Sequence, residues 1–173
     1  MERKKKGRVP IFFQMSHHLQ TLVLARYNAE ADQRVILATS SYKISGRIFS
    51  KQLNTIQQLV ADDQFVSKSS YMITDEESNM LLFYNRDDVL LYFAATNTHF
   101  TSDMASKLFR VLKRECGLQF NPIAMKSLKR NGLQKQADSL LSNLLFAFNQ
   151  PNPDAHLKED DKGQLRLKEH SGF

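Results

Sequence analysis

Leu22-Val23-Leu24-Ala25-Arg26-Tyr27 and Val35-Ile36-Leu37-Ala38-Thr39 are short, nearly continuous apolar runs joined by the polar stretch from Asn28 to Arg34. A strand with one wetted face alternates apolar and polar residues, so runs without clean alternation predict strands covered on both faces. A chain carrying such runs must lay helices on either side of a sheet. The polar stretch between them reads as the turn of an opening hairpin.

From Ile44 the period changes. Ile44, Ile48, Phe49, Leu53, Ile56, Leu59 and Val60 share one half of a helical wheel, with Arg47, Lys51, Asn54, Gln57 and Gln58 on the other. This predicts an amphipathic helix over residues 45–61, closed by Asp62-Asp63, although acidic side chains oppose the macrodipole at a helix C-terminus. Three β-rich segments follow at residues 65–74, 79–85 and 89–96, and the interruptions Asp75-Glu76-Glu77-Ser78 and Arg86-Asp87-Asp88 have hairpin-loop lengths. Thr101, Ser102 and Asp103 are competent N-caps for a helix over 102–115, in which Met104, Leu108, Val111, Leu112 and Cys116 recur at helical spacing until Gly117 predicts a stop. Asn121-Pro122 predicts a further helical stretch that breaks at Gly132, resumes through Leu133 to Phe148 and ends before Pro151 and Pro153.

The expected order is β-β-α-β-β-β-α-α, an α+β fold with a five-stranded antiparallel sheet and helices on both faces. At 173 residues, 42% hydrophobic and 24% charged, the chain has the proportions of one folded soluble domain with tails. The expected organisation is a basic flexible leader at 1–18, the α+β domain at 19–150 and a charged flexible tail at 151–173. In that tail Leu157, Leu165, Leu167 and Phe173 are the only bulky apolar side chains.

The net charge of +6 is unevenly spread, since Arg3, Lys4, Lys5, Lys6 and Arg8 stand against Glu2 alone while residues 62–103 are predominantly acidic. That distribution excludes a uniformly basic nucleic-acid surface. The leader, with Ile11-Phe12-Phe13 after its cations, suits a solubilising tail, contact with an anionic membrane, or a nucleic-acid tract. A second basic set, Lys107, Arg110, Lys113 and Arg114, lies opposite the apolar arc of the 102–115 helix, where it serves as a solvated face or joins the leader in contacting phosphates. No apolar run approaches the length of a membrane span, and the leader lacks the apolar core and cleavage site of a signal peptide. The single cysteine, Cys116, fits a reducing compartment. The expected location is cytoplasmic, with peripheral contact on the cytosolic face of endomembranes.

His17, His18, His99, His156 and His170 include no pair with zinc-site spacing, and Cys116 has no neighbouring base or oxyanion donor in its sequence context. The acidic groups at 75–77 and 87–88 fall in turns, where Asp is favoured for local hydrogen bonding, and no phosphate-cradling glycine motif occurs. The expectation is a chain that is not an enzyme and needs no metal or cofactor.

The succession of hairpin at 22–39, helix at 45–61, meander at 65–96 and helix at 102–115 resembles the longin domain, the profilin-like module of membrane traffic. The nearest local likeness is residues 79–97, NMLLFYNRDDVLLYFAATN, which is similar to the paired fourth and fifth longin strands. The resemblance implies a non-catalytic protein–protein interaction module, a cytosolic adaptor or regulatory subunit in vesicle trafficking. Its implied partner is a SNARE, coat, tether or small GTPase regulator, held in a hetero-oligomer. The implied docking groove lies between the helix at 44–60 and the strand at 65–74, with Phe49, Leu53, Ile56, Phe65 and Tyr71 as apolar anchors; an ordinary core position is the competing reading for each. The chain departs from the SNARE pattern. It has no sustained heptad with a central Arg or Gln, and His170-Ser171-Gly172-Phe173 is not a prenylation box, so a fusogenic SNARE is not expected. The alternative function is nucleic-acid binding through Arg3, Lys4, Lys5, Lys6, Arg8, Lys107, Arg110 and Arg114.

Overall fold

The computed structural model describes residues 18–27 and 30–168. Five antiparallel strands form one sheet: β1 (Leu19–Arg26), β2 (Ile36–Ser41), β3 (Ser70–Asp75), β4 (Met80–Arg86) and β5 (Leu90–Asn97). Their spatial order is β2-β1-β5-β4-β3, so the chain crosses from one edge to the other between β2 and β3. The crossing is made by α1 (Gly46–Val60) and the single turn α2 (Asp63–Val66). After β5 come α3 (Ser102–Gln119), the short α4 (Pro122–Met125) and α5 (Gln134–Phe148).

Helices cover both faces, as the apolar runs require. Val23, Ala25, Leu82, Tyr84, Leu91 and Phe93 pack with Ile56, Val60, Phe65 and Val66 on the α1 face. Leu22, Leu24, Phe83, Tyr92 and Ala94 pack with residues of α3 and α5 on the other. Because β1 and β5 are interior strands sandwiched this way, every residue from Leu90 to Thr96 is buried, and alternation is lost.

Caps account for the helix boundaries. Ser45 Oγ accepts from the Ile48 N–H at 3.2 Å to open α1, Thr101 Oγ1 from Met104 N–H at 3.1 Å to open α3, and Asn121 Oδ1 from Ile123 N–H at 2.9 Å ahead of Pro122. Asp62 does not close α1; its carboxylate accepts from the N–H groups of Gln64 and Phe65 and starts α2. That resolves the macrodipole conflict, since an acidic residue at a helix N-terminus is favourable. It also displaces the strand expected from residue 65, so that Phe65 lies in α2 and β3 begins at Ser70. Gly117 does not stop α3, which runs on to Gln119. Gly132 serves a tight approach, because a Cβ there would sit 2.8 Å from the Lys129 carbonyl oxygen.

The two sheet edges differ. On β2, the N–H groups of Asn131 and Leu133 donate to the carbonyls of Ile36 and Leu37 at 2.9 and 3.0 Å. The Gln134 amide then completes the seal, donating to Thr39 O at 2.7 Å and accepting from Thr39 N–H at 2.8 Å. Strand β3 has no comparable cover among the described residues.

Charge density predicts a flexible tail from residue 151, whereas a short turn at Pro153–His156 leads into a hairpin of β6 (Leu157–Glu159) and β7 (Leu165–Leu167). Asp160 Oδ1 accepts from Lys162 and Gln164 N–H groups, and Gly163 supplies the left-handed residue, with φ +73°. Leu157, Leu165 and Leu167 join the core on the α3 side, so the few apolar residues of this charged segment are the ones that anchor it.

Candidate functional site

The apolar arc of α1 puts Gln52, Ile56 and Val60 against the sheet. The flank carrying Ile48, Lys51 and Thr55 overhangs the turn of the β3–β4 hairpin, leaving a cleft of about 450 Å³ closed opposite by Asp75, Ser78 and Met80. Ile48 is 47% exposed, although it belongs to the apolar half of the wheel. Beneath the cleft, Gln52 is buried and bonded on both sides, accepting from Thr21 Oγ1 and donating to Gln20 Oε1 at 2.9 Å. Its amide is thereby satisfied without a ligand. The Ser78 hydroxyl, the N–H groups of Ser78 and Glu77 and the Lys51 ammonium together hold the Asp75 carboxyl below its ordinary range. The cleft thus combines an exposed apolar side chain with Arg47 and Lys51 on one rim and a carboxylate on the other.

The five expected anchors fall into three environments. Ile56 and Phe65 lie in the core, at 0% and 6% exposure. The Phe65 ring stands 4.6 Å from Tyr84, 6.3 Å from Phe93 and edge-on to Tyr71 at 5.9 Å. Tyr71 is half exposed, with the Lys68 ammonium 5.4 Å from its ring. Phe49 and Leu53 are half-buried, and Leu53 lies on the helix arc shared with Gln57, which borders Ile36 of β2. Phe65 and Tyr71 are therefore brought together, while Leu53 sits on the flank of α1 away from the cleft. The cleft-lining residues Ile48, Lys51 and Met80 are not among the anchors expected from the sequence, and Asp75 reads there only as a turn residue. The adjacency of Ile48 to Arg47 and Lys51 at the border of the apolar arc is the signal that marks such a residue.

The basic stripe on α3 is divided by the C-terminal hairpin. Lys107 Nζ meets Asp154 at 2.7 Å and Arg114 Nη2 meets Asp160 at 2.8 Å, whereas Arg110 and Lys113 have no acidic partner among the described residues. Arg3, Lys4, Lys5, Lys6 and Arg8 lie outside the described residues. Glu115, on the same helix, is buried and accepts from Arg166, from the Leu167 N–H and from Gln119, each at 3.0 Å.

His18 and His99 place their rings 5.8 Å apart at one end of the sheet. Cys116 is 2% exposed, and burial pushes its thiol well above the ordinary cysteine range, with Asp87 and Glu115 adding to the effect. Among the described residues no three His, Cys, Asp or Glu side chains converge, and no helix is long and apolar enough to cross a membrane. No family model matches the chain, and no curated protein matches it.

Proposed function

We propose that the chain is a non-catalytic protein–protein interaction module, a longin-like adaptor or regulatory subunit of vesicle trafficking. The observation that carries this reading is the cleft between α1 and the β3–β4 hairpin, with Ile48 exposed among charged rim residues. An apolar anchor ringed by polar groups is the composition of a docking surface, where the anchor supplies affinity and the rim selects the partner. The five-stranded antiparallel sheet with helices on both faces is compatible with a longin-like arrangement. In this reading the partner is a SNARE, coat, tether or small GTPase regulator met at the cytosolic face of endomembranes.

Affinity capture from cytosolic extract at two salt concentrations, with nuclease treatment of half of each sample, tests the proposal. Coat, tether or SNARE components that survive nuclease and are lost with Ile48→Asp support it. Loss of every partner with nuclease assigns the chain to nucleic acid instead.

A further inference from the structure

The bare edge of the sheet carries more information than its lack of cover. The Arg86 N–H donates to the Ser69 carbonyl at 3.2 Å. Alternation along an antiparallel pair then assigns Tyr71, Ile73 and Asp75 to the bonds with β4 and turns the backbone groups of Ser70, Met72 and Thr74 outward. No hydrogen bond among the described residues reaches those outward groups. The strand Ser70–Asp75 also contains no lysine, proline or register shift, devices that blunt an exposed edge, and its one charged residue, Asp75, stands at its end beside the hairpin turn.

Beside this edge, on the face opposite the α1 cleft, a concavity of about 420 Å³ opens between β3–β4 and α3. Phe83 and Phe109 contribute its apolar lining, and Met72, 45% exposed, stands at the strand. Its charged lining is Arg110 and Lys113, the two cations of the α3 stripe that the C-terminal hairpin leaves unneutralised among the described residues.

We propose that this edge and basin together receive an extended acidic segment of a partner protein, which adds to β3 as a sixth strand. Backbone pairing with Ser70, Met72 and Thr74 supplies affinity without regard to sequence. Specificity comes from the side chains that alternate toward the α3 face. One is apolar, over Met72, Phe83 and Phe109, and one two residues away is a carboxylate meeting Arg110 and Lys113. A second copy of this chain fits the edge poorly, because it would bring the same cations against each other. The inference stands apart from the trafficking reading, since it uses the other face of the sheet.

The test is selection of a phage-displayed random peptide library on the intact chain. Enriched peptides are expected to carry Asp or Glu two residues from an apolar side chain and to slow amide exchange at Ser70, Met72 and Thr74. Affinity for a selected peptide is expected to fall at least tenfold in the Arg110→Glu, Lys113→Glu double variant. It should fall likewise in Met72→Pro, which removes an outward N–H without breaking the ladder to β4. Lys107→Glu is expected to bind as the unaltered chain does. If Met72→Pro does not fold, the charge-reversal variant decides. An empty selection, peptides without acidic residues, equal affinity for the charge-reversed chain, or protection confined to other strands would each overturn the proposal. So would dimerisation through β3 in sedimentation without peptide, or displacement of the peptide by a single-stranded oligonucleotide.

Discussion

The Glu115 carboxylate on α3 takes two parallel hydrogen bonds from the Arg166 guanidinium, Nε to Oε2 and Nη2 to Oε1, both at 3.0 Å. This fork joins the C-terminal hairpin to the domain. Glu115→Ala removes the acceptor of two Arg166 bonds and of the Leu167 N–H. Arg166 is a third exposed and regains water, so the expected cost is about 2 kcal/mol rather than the larger value of a fully buried pair. Urea unfolding reads the loss, and faster amide exchange at Leu167 locates it. An unchanged Leu167 rate would mean that Leu157, Leu165 and Leu167 hold the hairpin by themselves.

Acid should detach the same hairpin. Burial alone would raise the Glu115 carboxyl, but the bonds from Arg166, Leu167 and Gln119 outweigh it and hold the group below its ordinary 4.5. Asp160 is held below its ordinary 3.8 by the Gln164 and Lys162 N–H groups and by Arg114. A carboxylate depressed in the folded state contributes stability that is complete above its unfolded value and is lost as pH falls through the folded one. Tm is therefore expected to hold down to about pH 5 and to fall steadily below it. In Glu115→Gln the starting Tm is lower and the acid slope shallower. Equal slopes for the two proteins would remove Glu115 from the acid response.

Gln134→Ala opens the β2 edge at Thr39. Two bonds to the Thr39 backbone disappear, each contributing about 1 kcal/mol. The Thr39 amide is expected to exchange faster, and light scattering should detect more concentration-dependent self-association than in the unaltered chain. Gln134→Glu, which keeps the acceptor but not the donor, should fall between the two.

Ile48→Asp separates docking from folding. Ile48 is exposed, so its stability change is expected within about 0.5 kcal/mol, whereas Ile56→Asp buries a charge at a fully enclosed position and should unfold the chain. Circular dichroism on both variants is the check. A large destabilisation by Ile48→Asp would show that this side chain supports the core.

Tyr84 offers a smaller, cleaner reading of the α1 face. Its hydroxyl donates to the Val66 carbonyl at 3.1 Å, and burial pushes its pKa up to about 12. Tyr84→Phe leaves that carbonyl without its side-chain donor at an expected cost of about 1 kcal/mol, read from the urea midpoint.

The element order was legible because the hydrophobic period is local information. Continuous runs at β1 and β2, helical spacing in α1 and α3, and the caps at Thr101 and Asn121 all speak through neighbours a few residues away, whereas the Ser45 cap emerges only in the structure. Asp62 misled because a carboxylate between two helical turns can close one or open the next, and only the position of Phe65 against Tyr84 and Phe93 decides. The hairpin at 157–167 was illegible for a different reason. Its acidic and basic residues read as solvent-loving until Asp154, Asp160 and Arg166 meet Lys107, Arg114 and Glu115, 46 to 51 positions away in chain for the last two pairs. Of the candidate site, the amphipathic character of α1 was visible but not which flank faces the open hairpin, so Leu53 and Ile48 could not be told apart. Likewise the stripe on α3 showed four equivalent cations, and folding makes them two and two.

The seal that Gln134 places on Thr39 has a consequence for stoichiometry. A sheet bare at both margins can be extended from either side, and each addition leaves another margin to extend, which is the geometry of an open-ended fibre. This sheet has a valence of one. Growth from this chain is confined to the β3 side, so two chains that paired there would leave each other only sealed β2 margins, and the assembly would stop at two rather than grow.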